Sequence, residues 1–187
     1  MKNIAIFASG SGSNAQAIVE YFRKQGKDPV KLILTNNPKA YVLERAKQLG
    51  IESVVFTSED LYHRTTVLDI LQSKQIDFIV LAGFLWLIPT ALLKTYKGKI
   101  VNIHPALLPK YGGKGMYGMK VHEAVVANRE KETGITIHWV DEEYDHGDII
   151  LQVSRPVDPT DTPEKVAAKV HELEYLHYPR IIEQLIS

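Results

Sequence analysis

Short apolar runs set the frame of the chain. Ile4–Ala8, Val30–Leu34, Phe78–Ala82 and Ile100–Ile103 are nearly unbroken apolar stretches, and Ser53–Phe56 is a shorter run of the same kind. Runs of this length, without polar alternation, predict strands buried on both faces. The intervening segments predict helices. Ala15, Ile18, Val19 and Phe22 recur at helical spacing, and Tyr41–Leu49 is stopped by Gly50. One helix is expected from about Asp60 to Ser73 and another near Thr90–Tyr96. Strand and helix alternating in this way imply a parallel sheet covered by helices. The pattern then changes. Pro105–Tyr117 is rich in Pro and Gly and reads as a long loop, followed by a short helix at Val121–Ala127. Gly134–Val140 and Ile149–Val153 read as strands separated by the eight residues Asp141–Asp148, too few for a parallel crossover, so they are expected to be antiparallel. Thr162 caps a long last helix with Pro163 at its first position and Val166, Val170, Leu173 and Leu176 as its apolar stripe. The fold class is α/β: a Rossmann-like single domain over 1–187, with a mostly parallel central sheet and antiparallel C-terminal strands.

Composition narrows the classes. The 187 residues carry 22 basic and 22 acidic side chains and no cysteine. Balanced charge argues against binding nucleic acid through bulk electrostatics. The absence of cysteine excludes disulfide scaffolds, thiolate metal sites and cysteine nucleophiles. The longest apolar run, Phe78–Ile88, has 11 residues, short of the ~20 that span a membrane. Five apolar residues at Ile4–Ala8 are too few for a secretory leader. A cytoplasmic protein with no membrane partner is expected.

Two positions carry candidate chemistry. Gly10-Ser11-Gly12-Ser13-Asn14 lies between the first strand and the first helix, where glycine lets backbone amides approach an anion and the helix N-terminus favours negative charge. A phosphate fits such a turn, and so does a plain strand–helix turn capped by Ser and Asn. No acidic residue closes the second strand, as a dinucleotide site would require, and no Gly-Lys-Ser/Thr follows. The second position is Asn102-Ile103-His104-Pro105. Residues two apart on a strand share a face, so Asn102 and His104 point together at the C-terminal edge of the sheet. Asn donates to a developing oxyanion, and His donates or accepts a proton; a structural pair at a strand end is the alternative. A carboxylate beside the His raises its pKa, and Asp145, before His146-Gly147, is the candidate, against the alternative of a solvated acidic hairpin. His104, His122, His138 and His146 offer metal ligands, but His-Glu-x-x-His is absent, and Glu174-x-x-His177 has a di-iron spacing that needs two copies. No metal is expected. The Gly-x-Ser-x-Gly of a serine acyl-enzyme is also absent.

Together Ser9-Gly10-Ser11-Gly12-Ser13-Asn14, Leu81-Ala82-Gly83-Phe84, Asn102-Ile103-His104-Pro105-Ala106-Leu107-Leu108-Pro109-Lys110 and Asp145-His146-Gly147 resemble the phosphoribosylglycinamide formyltransferases, from Ile4 to about Ile182. The resemblance implies a formyltransferase domain that passes a formyl group from 10-formyltetrahydrofolate to the amine of phosphoribosylglycinamide in purine synthesis. It implies Asn102, His104 and Asp145 as the catalytic set. Gly12, Ser13 and Asn14 are implied to hold the ribotide phosphate, with His171 and Glu174 near the glycinamide end. Leu85, Trp86, Leu87, Ile88, Val140, Asp141 and Tyr144 are implied to line the folate pocket together with Asn102, and Arg64 to reach the folate. Monomer and homodimer both remain open.

The chain departs from the common family pattern at three places. Ala106 stands where Ser is frequent, Trp86 where a basic residue is common, and Tyr111–Gly118 replaces a Pro-Gly version of the loop. A methionyl-tRNA formyltransferase resembles this core but adds a C-terminal RNA-binding domain, and a formylfolate hydrolase adds an upstream regulatory one. A chain running from Met1 to Ser187 is expected to be neither, with the hydrolase and a non-catalytic nucleotide-binding module as the alternatives.

Overall fold

The computed structural model describes residues 1–187. The strands are β1 (Ile4–Phe7), β2 (Val30–Thr35), β3 (Glu52–Val55), β4 (Phe78–Leu81), β5 (Ile100–His104), β6 (Glu132–Trp139) and β7 (Ile149–Pro156). They form one sheet in the order β3-β2-β1-β4-β5-β6-β7. The first five strands are parallel, whereas β6 pairs antiparallel with both β5 and β7. The antiparallel C-terminal part therefore stands as expected.

The helices are α1 (Ser13–Arg23), α2 (Val42–Leu49), α3 (Ser58–Tyr62), α4 (Thr66–Ser73), α5 (Thr90–Thr95), α6 (Met119–Ala127) and α7 (Pro163–Ile186). Strand residues alternate between two cores. Ile4, Ile6, Val80, Val101, Ile103, Ile135 and Ile137 pack under α1, α2 and α7. Ala5, Phe7, Ile79, Leu81 and Ile100 pack on the other face with Leu61, Val67, Leu71 and Leu92 from α3, α4 and α5. Continuous apolar strands arise because both faces are covered.

Two sequence expectations need correction. The helix expected over Asp60–Ser73 is two helices. Thr57 opens α3 with a reciprocal capping box to Asp60, and the chain leaves the helix at His63 before restarting at Thr66. In one unbroken helix Leu61 and Val67 lie about 120° apart around the axis; the break lets both enter the same core. In α7 the buried positions step by four: Val166, Val170, Glu174, Tyr178, Ile182, Ile186. Leu173 is a flank of that stripe and Leu176 faces solvent at 46% exposure, so the apolar spacing through Leu176 misplaced the buried face. A polar residue, Glu174, lies on the buried stripe itself.

Strand order reverses between β1 and β4, whose C-terminal loops part in opposite directions; open α/β sheets bind ligands in the crevice at such a point. Here the loops are tied side by side. Ser9 N–H donates to the Gly83 carbonyl at 3.0 Å, and Leu85 N–H to the Ser9 hydroxyl at 3.0 Å. The crevice therefore has a fixed floor.

Candidate active site

On β5, Val101 and Ile103 enter the α7-side core, which turns Asn102 and His104 to the opposite face. The antiparallel register puts His138 of β6 opposite Asn102 and Thr136 opposite His104. The loop after β6 returns Asp145 to this corner. Asp145 adopts a left-handed backbone, φ 52°. Gly147 lies against the Trp139 carbonyl so closely that a Cβ there meets its oxygen at 1.8 Å. This tight return is what the Asp145-His146-Gly147 triplet encodes.

Four side chains converge. His104 Nδ1 is 3.4 Å from Asp145 Oδ1, and His138 Nε2 is 3.8 Å from the same oxygen. Asn102 Nδ2 is 3.1 Å from His138 Nε2 and 3.4 Å from Asp145 Oδ1. Asp145 Oδ2 accepts the Gly113 N–H at 3.0 Å. Acceptors fix the proton positions. His138 Nδ1 is 2.8 Å from the Trp139 carbonyl, which can only accept, so Nδ1 carries the hydrogen and Nε2 takes one from Asn102. His104 Nε2 is 2.6 Å from the Tyr111 carbonyl, so its hydrogen is on Nε2.

The expected effect of Asp145 on His104 is present but outweighed. His104 is 4% exposed, and burial holds its pKa below the usual histidine value, while Asp145 and the Tyr111 carbonyl pull it up. Asp145 thus opposes the desolvation of His104 without overcoming it. Asp141 does not share this role: its carboxylate is 2.7 Å from His146 Nδ1 on the outer side of the loop, where that bond raises the His146 pKa.

The turn of Gly10–Asn14 opens at the same edge. Gly12 is the N-cap of α1, at φ 74°. The amides of Ser11, Gly12 and Asn14 donate to no protein acceptor. Glu174 approaches from α7: it is 6% exposed and accepts from Asn14 Nδ2 at 3.1 Å. Burial pushes its carboxyl up to about 7, with the Asn14 bond working against that shift. Asn14 Oδ1 is buried and has no partner. His171, one turn earlier on α7, is exposed, stacked on Tyr175 at 6.0 Å and edge-on to His122 at 6.4 Å. Unpaired amides at one end and two buried acceptors at the other suit a ligand with an anionic group and hydrogen-bond donors.

The residues implied for the folate pocket separate into rim and core. Leu85 is 40% exposed, and its carbonyl accepts from the Tyr144 hydroxyl at 3.4 Å, so these two face each other across the crevice. Leu87 is joined to Tyr62 by a 2.8 Å bond to its carbonyl. Trp86 packs on Tyr62 and Phe56, both at 6.2 Å. Ile88, at 4% exposure, packs in the core beneath the crevice. Val140 packs against that same core. Arg64 stands in the α3–α4 break with its side chain 64% exposed and 3.6 Å from Glu59; no contact joins it to the crevice. His138 is the site residue that sequence reasoning considered only as a metal ligand. Its signal lay in a strand register that a hairpin of unknown turn does not reveal.

Comparison with known proteins extends these observations. The pattern of the Formyl transferase family matches residues 2–182. A Bacillus subtilis protein named phosphoribosylglycinamide formyltransferase is 38% identical over 100% of this chain and 96% of its own length. A chloroplastic phosphoribosylglycinamide formyltransferase of Vigna unguiculata is 40% identical over 98% of this chain, which spans 61% of the plant protein. The solved structure of glycinamide ribonucleotide transformylase 1 from Geobacillus kaustophilus superposes with a TM-score of 0.89 at 38% identity, covering all of both chains. That of phosphoribosylglycinamide formyltransferase from Streptococcus pneumoniae TIGR4 gives 0.88 at 38% identity, again over both full chains. A seven-stranded sheet with a His-Asn-Asp corner beside an amide-lined turn, matched over nearly its whole length by these proteins, places the chain in the formyl transferase family, among the phosphoribosylglycinamide formyltransferases.

Proposed function

We propose that the protein transfers the formyl group of 10-formyltetrahydrofolate to the amine of phosphoribosylglycinamide. The observation that carries this reading is the common opening of two unlike sites at one sheet edge: the Asn102–His104–Asp145 corner and the unpaired amides of Ser11, Gly12 and Asn14. The turn takes the phosphate. Glu174, Asn14 and His171 take the glycinamide end, whose N–H groups supply donors for the two buried acceptors. The folate enters between Leu85 and Tyr144, with Val140, Asp141 and the Trp86–Ile88 segment behind it and Arg64 at the outer rim.

The ribotide amine attacks the formyl carbon. A C–N bond forms, and the former carbonyl oxygen gathers negative charge. The His104 Nε2–H leaves the Tyr111 carbonyl and donates to that oxygen. The Asn102 N–H facing Asp145 at 3.4 Å is the more loosely held of its pair, and it is the second donor. Asp145 faces His104 Nδ1; a proton taken up there from solvent makes the ring an imidazolium, and the carboxylate stabilises that charge beside the oxyanion. His138 positions Asn102 and does not touch the substrate. A water relays the proton from the attacking nitrogen to folate N10; the C–N10 bond breaks, the carbonyl re-forms, and tetrahydrofolate leaves. Holding both substrates at one edge supplies much of the acceleration.

The test is turnover with 10-formyltetrahydrofolate and phosphoribosylglycinamide, with the acceptor omitted in parallel. Acceptor-dependent release of deformylated folate is the expected result. Release without acceptor identifies a hydrolase. No release, with ribotide still bound, identifies a binding module and overturns the proposal.

A further inference from the structure

The turn that faces the proposed phosphate is held from behind by one helix. Val42, the first residue of α2, donates its N–H to the Gly10 carbonyl at 3.1 Å. One turn later, Arg45 Nε donates to the Ser11 carbonyl at 2.7 Å. Arg45 Nη1 bonds the Gln16 side chain on α1, and the guanidinium lies over the Tyr41 ring at 5.0 Å. The third residue of the turn is pressed equally close: a Cβ on Gly12 meets Val42 Cγ2 at 2.3 Å.

The peptide plane turns this clamp into an orientation. In a trans peptide the carbonyl and the following N–H point in opposite directions. Fixing the Gly10 carbonyl on Val42 therefore directs the Ser11 N–H away from α2. Fixing the Ser11 carbonyl on Arg45 directs the Gly12 N–H away likewise. These are two of the amides that have no protein acceptor. Without the second tie the Ser11–Gly12 peptide is free to rotate, and a carbonyl oxygen then points where an anion must sit. Arg45 is half-buried, and its planar fork spans two acceptors on separate elements while the guanidinium lies over an aromatic ring. A lysine holds one acceptor as a point charge and cannot reproduce that fork.

We propose that Arg45 is a positioning residue for the ribotide phosphate: by holding the Ser11 carbonyl outward, it presents the Gly12 amide to the anion, beside the Ser11 amide that Val42 orients. The proposal rests on the ribotide reading of the turn given above. It concerns recognition of the anionic end, not the formyl-transfer step.

The experiment compares the wild-type 187-residue protein with Arg45→Met and Arg45→Lys, each checked for cooperative thermal unfolding. Four constants are read: kcat, the KM of each substrate, and the inhibition constant of inorganic phosphate competing with ribotide. Loss of a charge-assisted hydrogen bond predicts that Arg45→Met raises the ribotide KM and the phosphate inhibition constant together, by about 10- to 100-fold. The formylfolate KM and kcat stay as in wild type. Arg45→Lys is expected to remain impaired to a similar degree. Recovery to wild-type values in Arg45→Lys assigns the effect to charge alone and overturns the positioning role. A parallel loss in kcat or in formylfolate KM means a general disturbance of the fold, and also overturns it. If inorganic phosphate does not compete with ribotide in the wild-type enzyme, the phosphate reading of the turn itself fails, and the role of Arg45 falls with it.

Discussion

His104 has two neighbours that want opposite things from it. The Tyr111 carbonyl, 2.6 Å from Nε2, takes the ring hydrogen that the oxyanion needs, and Asp145, 3.4 Å from Nδ1, favours the cation that burial disfavours. The resting ring is thus a neutral donor held in store. On the proposed mechanism, replacing His104 with Ala removes one oxyanion donor, so turnover is expected to fall about 10²–10³-fold, while the ribotide KM, which the proposal assigns to Gly12–Asn14 and Glu174, stays close to wild type. Steady-state kinetics with both substrates varied checks this, and unchanged turnover removes His104 from the chemistry. Asp145→Asn has a signed consequence of its own. It deletes the Asp145 pull on His104 and leaves only the Tyr111 carbonyl against burial, so the His104 pKa moves further down. An NMR titration of the His104 ring reads this directly, and kcat should fall with it. A His104 titration that does not move would show that Asp145 is not felt at the ring.

At the scale of the element, the site depends on segments too short or too irregular to announce themselves. The Asp141–Asp148 return carries Asp145 on a left-handed residue and closes on Gly147, whose missing Cβ admits the Trp139 carbonyl. Gly147→Ala cannot be accommodated without moving this return, because the contact is with backbone. Overpacking of this kind typically costs about 1–3 kcal/mol. The expected outcome is a lowered thermal midpoint together with a fall in kcat, since Asp145 moves with the loop, and little change in ribotide KM. The strand pair is legible in the sequence, because only eight residues separate its two runs, whereas the weight placed on the Asp145-His146-Gly147 triplet comes from the family resemblance. The sequence did not make the register legible, and so His138 was not placed beside Asn102. The α3–α4 break was hidden for a related reason: both halves have helical composition, and the capping box at Thr57 that starts the first of them matters only once Leu61 and Val67 must enter one core.

At the scale of the whole molecule, function and stability meet at Glu174. The long helix α7 lies across α1 and β6 and carries a carboxylate where its stripe calls for an apolar side chain. One hydrogen bond from Asn14 answers it, and burial pushes its pKa to about 7. The sign of the resulting pH dependence follows from proton counting. Between the ordinary carboxylate value near 4.5 and about 7, the folded chain keeps a proton that the unfolded chain gives up. The stability this contributes is fully present below the unfolded pKa and is lost as pH rises through about 7. Above that, the fold holds an undercompensated buried charge whose cost, taken from the shift to about 7, is of the order of 3 kcal/mol at most. Glu174→Gln keeps the shape and the acceptor for Asn14 but never ionises. Its thermal midpoint is expected to exceed that of wild type at pH 8 and to match it below pH 4.5, while its ribotide KM rises because the acceptor facing the glycinamide is weakened. A variant no more stable than wild type at pH 8 would show that the carboxylate is already compensated in the empty site. Ribotide itself offers an independent check. Its donors relieve the same charge, so the rise in midpoint on adding ribotide should be larger at pH 8 than at pH 5 in wild type and nearly pH-independent in Glu174→Gln.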